Sequence, residues 1–184
     1  MNTTPQVHAM IVAAGRGSRF GATIAKQYTI LNHTTVLQQT LYRLASSHYI
    51  ESCFLVIAAD DSTARNLAFE LPIHYVIGGV ERWQSVQAGV RAIIDAGAND
   101  TDLIVIHDAA RPAVPIEDID RVIAAAMLEP YGAILASPVA DTLKQSKDQP
   151  NKDNSSSIGS TGNGVSYIQN TIDRNQIWQA QTPQ

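Results

Sequence analysis

Val7-His8-Ala9-Met10-Ile11-Val12-Ala13-Ala14-Gly15-Arg16-Gly17-Ser18-Arg19-Phe20 is the stretch on which the fold turns. Val7 to Ala14 is a nearly continuous apolar run, which suits a strand buried on both faces, and Gly15 ends it. Gly15 and Gly17 let the backbone approach an anion closely and offer N–H groups that can cradle phosphate oxygens. The loop is not a Walker A sequence, because no Gly-Lys-Ser/Thr follows. It is also a poor dinucleotide fingerprint: position 20 is Phe rather than Gly, and no acidic residue sits about twenty positions on to take a ribose hydroxyl. Arg16, Arg19 and Lys26 all lie within eleven residues of Gly15, a cluster of cations at a strand's carboxyl end.

Outward from this loop, strand-like and helix-like stretches alternate. Val36, Leu37, Leu41 and Leu44 recur at helical spacing, Cys53 to Ala59 is a second apolar run, and a polar, helix-like segment follows Asp60-Asp61. Ile73 to Ile77 is short and β-branched, and Val86, Val90, Ile93 and Ile94 mark a helix that stops near Gly97. Leu103 to Ile106 is another buried strand; Ile116, Ile119, Ile123 and Met127 give a helix closed by Pro130; Ala133 to Val139 completes the series. Such alternation predicts a mostly parallel sheet with helices on both faces, and ligands in such sheets bind beyond the carboxyl ends of the strands. From Lys144 to Ser166 the only hydrophobic residues besides the flanks are Ile158 and Val165, which predicts a mobile loop or arm tip. Folded character resumes at Ile168, Ile172, Ile177 and Trp178, and the chain stops at Gln184 without a terminating element, which reads as a truncation.

The whole chain of 184 residues has 45% hydrophobic and 16% charged residues, enough for one core and too apolar for general disorder. Thirteen Lys and Arg against seventeen Asp and Glu leave a net charge of −4. That argues against sequence-independent nucleic-acid binding, so an anionic ligand would need a local cation cluster. The lone Cys53 excludes an internal disulfide and reads as inert core packing. No run approaches a membrane span, and the first residues lack the pattern of a secretory signal or the room for a transit peptide, so a cytoplasmic protein is expected.

Ala-Ala-Gly-x-Gly-x-Arg from Ala13 to Arg19, followed by Lys26-Gln27-Tyr28, resembles the nucleotidyltransferases that transfer a nucleoside monophosphate to a phosphorylated alcohol. Gly78-Gly79-x-Glu81-Arg82-x-x-Ser85-Val86, His107-Asp108-Ala109-Ala110-Arg111-Pro112 and Pro138-Val139-x-Asp141-Thr142-x-Lys144 follow in order. With Asp173-Arg174-Asn175-x-x-Trp178 and Thr182-Pro183-Gln184 they resemble the 2-C-methyl-D-erythritol 4-phosphate cytidylyltransferase family of non-mevalonate isoprenoid synthesis, from about residue 7 to 184.

That resemblance implies a single Rossmann-like α/β/α nucleotidyltransferase domain, glycosyltransferase-A-like, with a protruding arm at 141–173 that reaches across a homodimer and has a flexible tip at 144–166. It implies CTP and 2-C-methyl-D-erythritol 4-phosphate as substrates. Lys26 and Arg19 would stabilise the transition state at the α-phosphate. Ala13, Ala14, Gly15, Gly17, Gly79 and Ser85 would surround the nucleotide. Asp108 would hold Mg²⁺ and, with Arg111, Thr142, Arg174 and Thr182, meet the acceptor; Arg174 would align the acceptor phosphate in the partner's site. Asp141 is a weaker candidate of the same kind, and His107 reads as structural. Val80 departs from the acidic residue common in the family. Glu81 and Arg82 read equally as a surface ion pair. A ribitol-5-phosphate cytidylyltransferase and a catalytically silent nucleotide-binding module are the alternatives.

Overall fold

The computed structural model describes residues 5–15, 24–147 and 167–184. Arg16, Gly17 and Arg19 of the glycine loop, and 148–166 of the expected arm tip, lie outside the described residues. In chain order the elements are β1 (Val7–Val12), a 3-10 turn (Lys26–Tyr28), β2 (Ile30–Leu31), β3 (Thr34–Thr35), α1 (Val36–Ala45), β4 (Cys53–Ile57), α2 (Ser62–Arg65), β5 (Ile73–Ile77) and α3 (Arg82–Asp95). After them come β6 (Leu103–Asp108), α4 (Ile116–Ala126), β7 (Ala136–Pro138), β8 (Lys144–Ser146), β9 (Ile168–Thr171) and β10 (Trp178–Ala180). The chain forms two compact units: one runs to Leu135 and takes in Gln181–Gln184, and the other is Ala136–Ala180.

The first unit is built on a parallel sheet in the order β5-β4-β1-β6. The apolar runs become strands because alternate residues go to opposite faces and both faces are covered. Ala9, Ile11, Leu55, Ile57 and Val105 pack with Leu37, Leu41 and Leu44 of α1 and Ile119, Val122 and Ile123 of α4. Met10, Phe54 and Val56 pack with Ile93, Val86 and Val90 of α3 on the other face. All five residues of β4 are buried, and burial pushes the Cys53 thiol up to about 12, consistent with inert packing.

Local chemistry sets the element ends. Asn32 and His33, at φ 49° and 72°, make the two-residue turn between β2 and β3. Thr35 and Gln38 form a reciprocal capping box at the start of α1. Gly97, at φ 101°, ends α3: its N–H bonds the Ile94 carbonyl and the Ala98 N–H bonds that of Ile93, the Schellman pattern. α4 ends at Ala126, short of Pro130.

Two sequence expectations are corrected here. Ala133 to Val139 is not a further strand of the parallel sheet: only Ala136–Pro138 is extended, and it pairs antiparallel with Trp178–Ala180 in the second unit. Pro138 has no N–H to give a central ladder, so the run suits a two-stranded one. The stretch beginning at Lys144 starts in an ordered hairpin, since Lys144–Ser146 pairs with Ile168–Thr171 through a bulge. Polar composition did not prevent pairing there, because backbone bonds carry it: Ile172 N–H to Leu143 at 3.0 Å and Lys147 N–H to Tyr167 at 2.8 Å. No helix among the described residues is long and apolar enough to cross a membrane.

Candidate active site

The carboxyl ends of the four parallel strands meet in register. Val12 pairs with Asp108 on one side and Val56 on the other, and Ile57 pairs with Ile77. The residues after these strands are the ones the sequence marks for chemistry. Two constellations form there, both within the first unit.

The first is made of backbone and small side chains. Ala13 leaves β1 with its N–H bonded to the Val56 carbonyl at 2.7 Å. The amide Nε2 of buried Gln27 donates to the Ala13 carbonyl at 3.1 Å and reaches that of Gly15 at 3.5 Å. Gly78 follows β5 with its N–H bonded to the Ile57 carbonyl at 2.8 Å. A Cβ on Gly78 would lie 2.7 Å from both the Ala14 Cβ and the Ser85 Oγ, so only glycine lets the β1 exit, this turn and the start of α3 close together. Ser85 is buried, its hydroxyl 3.3 Å from the Gly79 carbonyl and 3.4 Å from that of Glu81, so the oxygen faces the turn's own backbone. Beside the β1 exit a cavity of about 190 Å³ is lined by Ala13, Ala14, Gly15, Gln27, Tyr28 and Asp61 among others. Asp61 caps α2 through the Ala64 N–H at 3.1 Å and accepts the Tyr28 hydroxyl. Burial, aided by that carboxylate, holds the Tyr28 phenol well above its usual range.

The second constellation is charged. Asp108 is the last residue of β6 rather than a residue beyond it. Its Oδ1 accepts from Arg82 Nη2 at 2.9 Å and its Oδ2 from Arg111 Nε at 3.0 Å. Arg111 Nη1 also donates to the Gln181 Oε1 at 2.7 Å. The two arginine side chains are 63% and 49% exposed and that of Asp108 26%, so the arginines are aimed by Asp108 yet able to reach a ligand. One carboxylate between two guanidiniums leaves a net positive site suited to phosphate. Adjacent to it is a cavity of about 360 Å³ lined by Arg111, Pro112, Val114, Leu135, Gln181 and Thr182.

His107 is fully buried, with Nε2 3.1 Å from the Arg111 carbonyl. Burial lowers its basicity, so the ring is neutral, and since a carbonyl only accepts, Nε2 carries the proton. His107 therefore holds the Asp108–Arg111 turn, as the structural reading expects. The buried His107 Nδ1 and Thr182 Oγ1 have no hydrogen-bond partner among the described residues.

The Mg²⁺ expectation calls for one carboxylate, with the triphosphate and waters filling the remaining positions. Asp108 supplies that oxygen donor set, and each of its carboxylate oxygens accepts one guanidinium N–H here. Asp108 is an ion-pair anchor here.

Of the expected site residues, Ala13, Ala14, Gly15, Gly79, Ser85, Lys26, Asp108, Arg111 and Thr182 belong to the first unit. Gly17 and Arg19 lie outside the described residues. Thr142 and Arg174 belong to the second unit, where Thr142 is exposed and Arg174 donates to the Ala140 carbonyl. Arg82, Gln27 and Gln181 were not expected. Arg82 was read against its neighbour Glu81, but the Glu81 N–H is held by Gln84 Oε1 at 2.9 Å in the helix cap, and Arg82 turns to Asp108.

A family model described as 2-C-methyl-D-erythritol 4-phosphate cytidylyltransferase matches residues 7–184. The protein of that name from Psychrobacter cryohalolentis is 62% identical over 205 residues, covering 100% of this chain and 72% of its own length. The one from Idiomarina loihiensis is 38% identical, covering 96% of this chain and 66% of its own. Among solved structures, a 4-diphosphocytidyl-2C-methyl-D-erythritol synthase superposes with a TM-score of 0.78 at 32% identity, over 98% of this chain and 74% of that one. The Francisella tularensis cytidylyltransferase gives 0.70 at 29% identity, over 97% and 70%.

Proposed function

This chain belongs to the 2-C-methyl-D-erythritol 4-phosphate cytidylyltransferase family, and from that membership we propose how its residues move CMP from CTP to 2-C-methyl-D-erythritol 4-phosphate. An oxygen of the acceptor's phosphate attacks the α-phosphorus of CTP. The bond from that phosphorus to the bridging oxygen breaks, and pyrophosphate leaves with the electron pair. The product is 4-diphosphocytidyl-2-C-methyl-D-erythritol. The nucleophile is already an anion, so positioning and electrostatics carry the rate.

Ala13, Ala14, Gly15, Gly17, Gly79 and Ser85 form the nucleotide's surroundings in this reading. The narrow exit of β1 against the Gly78-Gly79 turn supports it, since it offers backbone groups and no bulk. Lys26 and Arg19 stabilise charge at the α-phosphate. Asp108 aims Arg82 and Arg111 at the phosphates, and Arg111 and Thr182 border the acceptor's cavity. Thr142 and Arg174 complete the acceptor site from the arm of a homodimer. A cytoplasmic location belongs to the same reading.

The observation that carries it is the Arg82–Asp108–Arg111 bridge at the end of β6, in register with the strand that leads into the glycine loop. Pyrophosphate release from CTP is the test, run with 2-C-methyl-D-erythritol 4-phosphate, with ribitol 5-phosphate and with neither, each with and without Mg²⁺. Release that requires the methylerythritol acceptor supports the reading. Faster release with ribitol 5-phosphate, or CTP binding with no release, rejects it.

A further inference from the structure

We propose that Gln27 is a positioning residue that fixes Lys26 against the backbone of the β1 exit, an inference that rests on the reaction proposed above. Gln27 is 7% exposed, between the exposed Lys26 and the half-buried Tyr28. Its single amide nitrogen reaches two carbonyls, those of Ala13 at 3.1 Å and Gly15 at 3.5 Å. It therefore ties the exit of β1 to the 3-10 turn.

Both sides of that clip are stiff. Ala13 is tied to the central strand β4 by its own N–H, at 2.7 Å from the Val56 carbonyl. The turn is closed by Tyr28 N–H to Ala25 at 2.8 Å and Thr29 N–H to Lys26 at 3.2 Å. Lys26 is covalently next to Gln27 in that turn, so its backbone cannot shift without moving the amide. A buried amide that loses its acceptors is costly, which holds the two sides together. The consequence is a fixed spacing between the residues proposed to hold the nucleotide and the ammonium proposed to meet its α-phosphate. A loss of about 1 Å in such alignment is enough to cost about a hundredfold in rate.

Glutamine suits the task by length and by charge. Methionine has the same reach with no donor, and glutamate keeps the shape but replaces the donor with an anion facing two carbonyl oxygens.

The test measures Gln27→Met in the wild-type and Lys26→Ala backgrounds, with thermal midpoints for each. In the wild-type background kcat is expected to fall roughly 10- to 100-fold with KM for CTP within about threefold, since alignment and not binding is lost. In the Lys26→Ala background the same change is expected to cost less than about twofold, because its target is gone. An equal loss in both backgrounds, or a loss confined to KM, overturns the proposal. Gln27→Glu serves where the methionine variant folds poorly. Its kcat relative to wild type is expected to rise as pH falls, because the protonated carboxyl regains an O–H donor; a flat ratio overturns the proposal. A wild-type chain that releases no pyrophosphate overturns the reaction and this role together, whereas an active wild type with unaltered Gln27 variants overturns this role alone.

Discussion

One aspartate precedes strand β6 and another ends it, and the two are held in opposite ways. Asp102, just before the strand, accepts the Gln6 N–H at 2.9 Å and the Asn99 N–H at 2.8 Å, with His8 Nε2 at 3.4 Å. Asp108, at its end, is held by Arg82 and Arg111. Backbone donors stay in place unless the chain around them unfolds, while guanidiniums on exposed stems can turn to a ligand and return. The side chains are 5% and 26% exposed, which agrees with one being a fastening and the other a working group. What separates structure from function here is the freedom of the partners, because the residue type is the same.

The largest effect should come from the cation that the Asp108 end works with. A unit charge pair about 4 Å apart is worth about 4 kcal/mol at an effective dielectric of about 20. If most of that is realised only in the transition state, Lys26→Ala should lower kcat by about three orders of magnitude. Its thermal midpoint should stay near wild type, and normal turnover would remove Lys26 from the chemistry.

Next comes Asp108→Asn, which leaves the two arginines without their anchor; kcat/KM should fall roughly 10- to 100-fold. Circular dichroism should show the fold intact. A variant that loses stability but keeps its rate would erase the distinction between the two ends.

Arg82→Met should cost about tenfold in kcat/KM, since Arg111 still holds the other carboxylate oxygen. An unchanged rate would return Arg82 to the role of a surface charge.

The smallest catalytic effect belongs to Asp102→Asn, with kcat within about twofold of wild type. Its effect should appear in stability and in pH dependence. The Asn99 and Gln6 N–H bonds, foremost among its partners, hold the Asp102 carboxyl below its ordinary value. The unfolded chain therefore binds a proton first as pH falls, so this contribution is present above the unfolded value of about 3.9 and is lost below it. Denaturation midpoints from pH 7 to 3 should fall less steeply in Asp102→Asn than in wild type. Equal slopes would show that the carboxylate does not fasten the strand.

Much of this was legible in the residues themselves. Ile73 to Ile77 is a strand with the expected bounds, and Gly97 ends α3 as its position suggests, because burial and a left-handed cap are local demands. Asp108 could be marked because it ends an apolar run, and Arg111 because it stands in the His-Asp-Ala-Ala-Arg-Pro motif that carries the family resemblance. Arg82 could not be joined to Asp108 from sequence, since the pair lies 26 residues apart and depends on where α3 crosses the strand ends. Gln27 was hidden for the same reason: its acceptors lie 14 and 12 residues back at the β1 exit, and a glutamine beside a lysine looks like any polar turn. Ala136–Pro138 misled because a short apolar run fixes extension but not its partner.

A crystal structure with CTP or a non-hydrolysable analogue bound tests the central claim most directly. The account predicts cytosine against Ala13, Ala14 and Gly79, the α-phosphate within hydrogen-bond reach of Lys26 Nζ, and the phosphates facing Arg82 and Arg111. A triphosphate lying at the Asp102 end of the sheet, or a Lys26 side chain directed away from the bound phosphates, would contradict it.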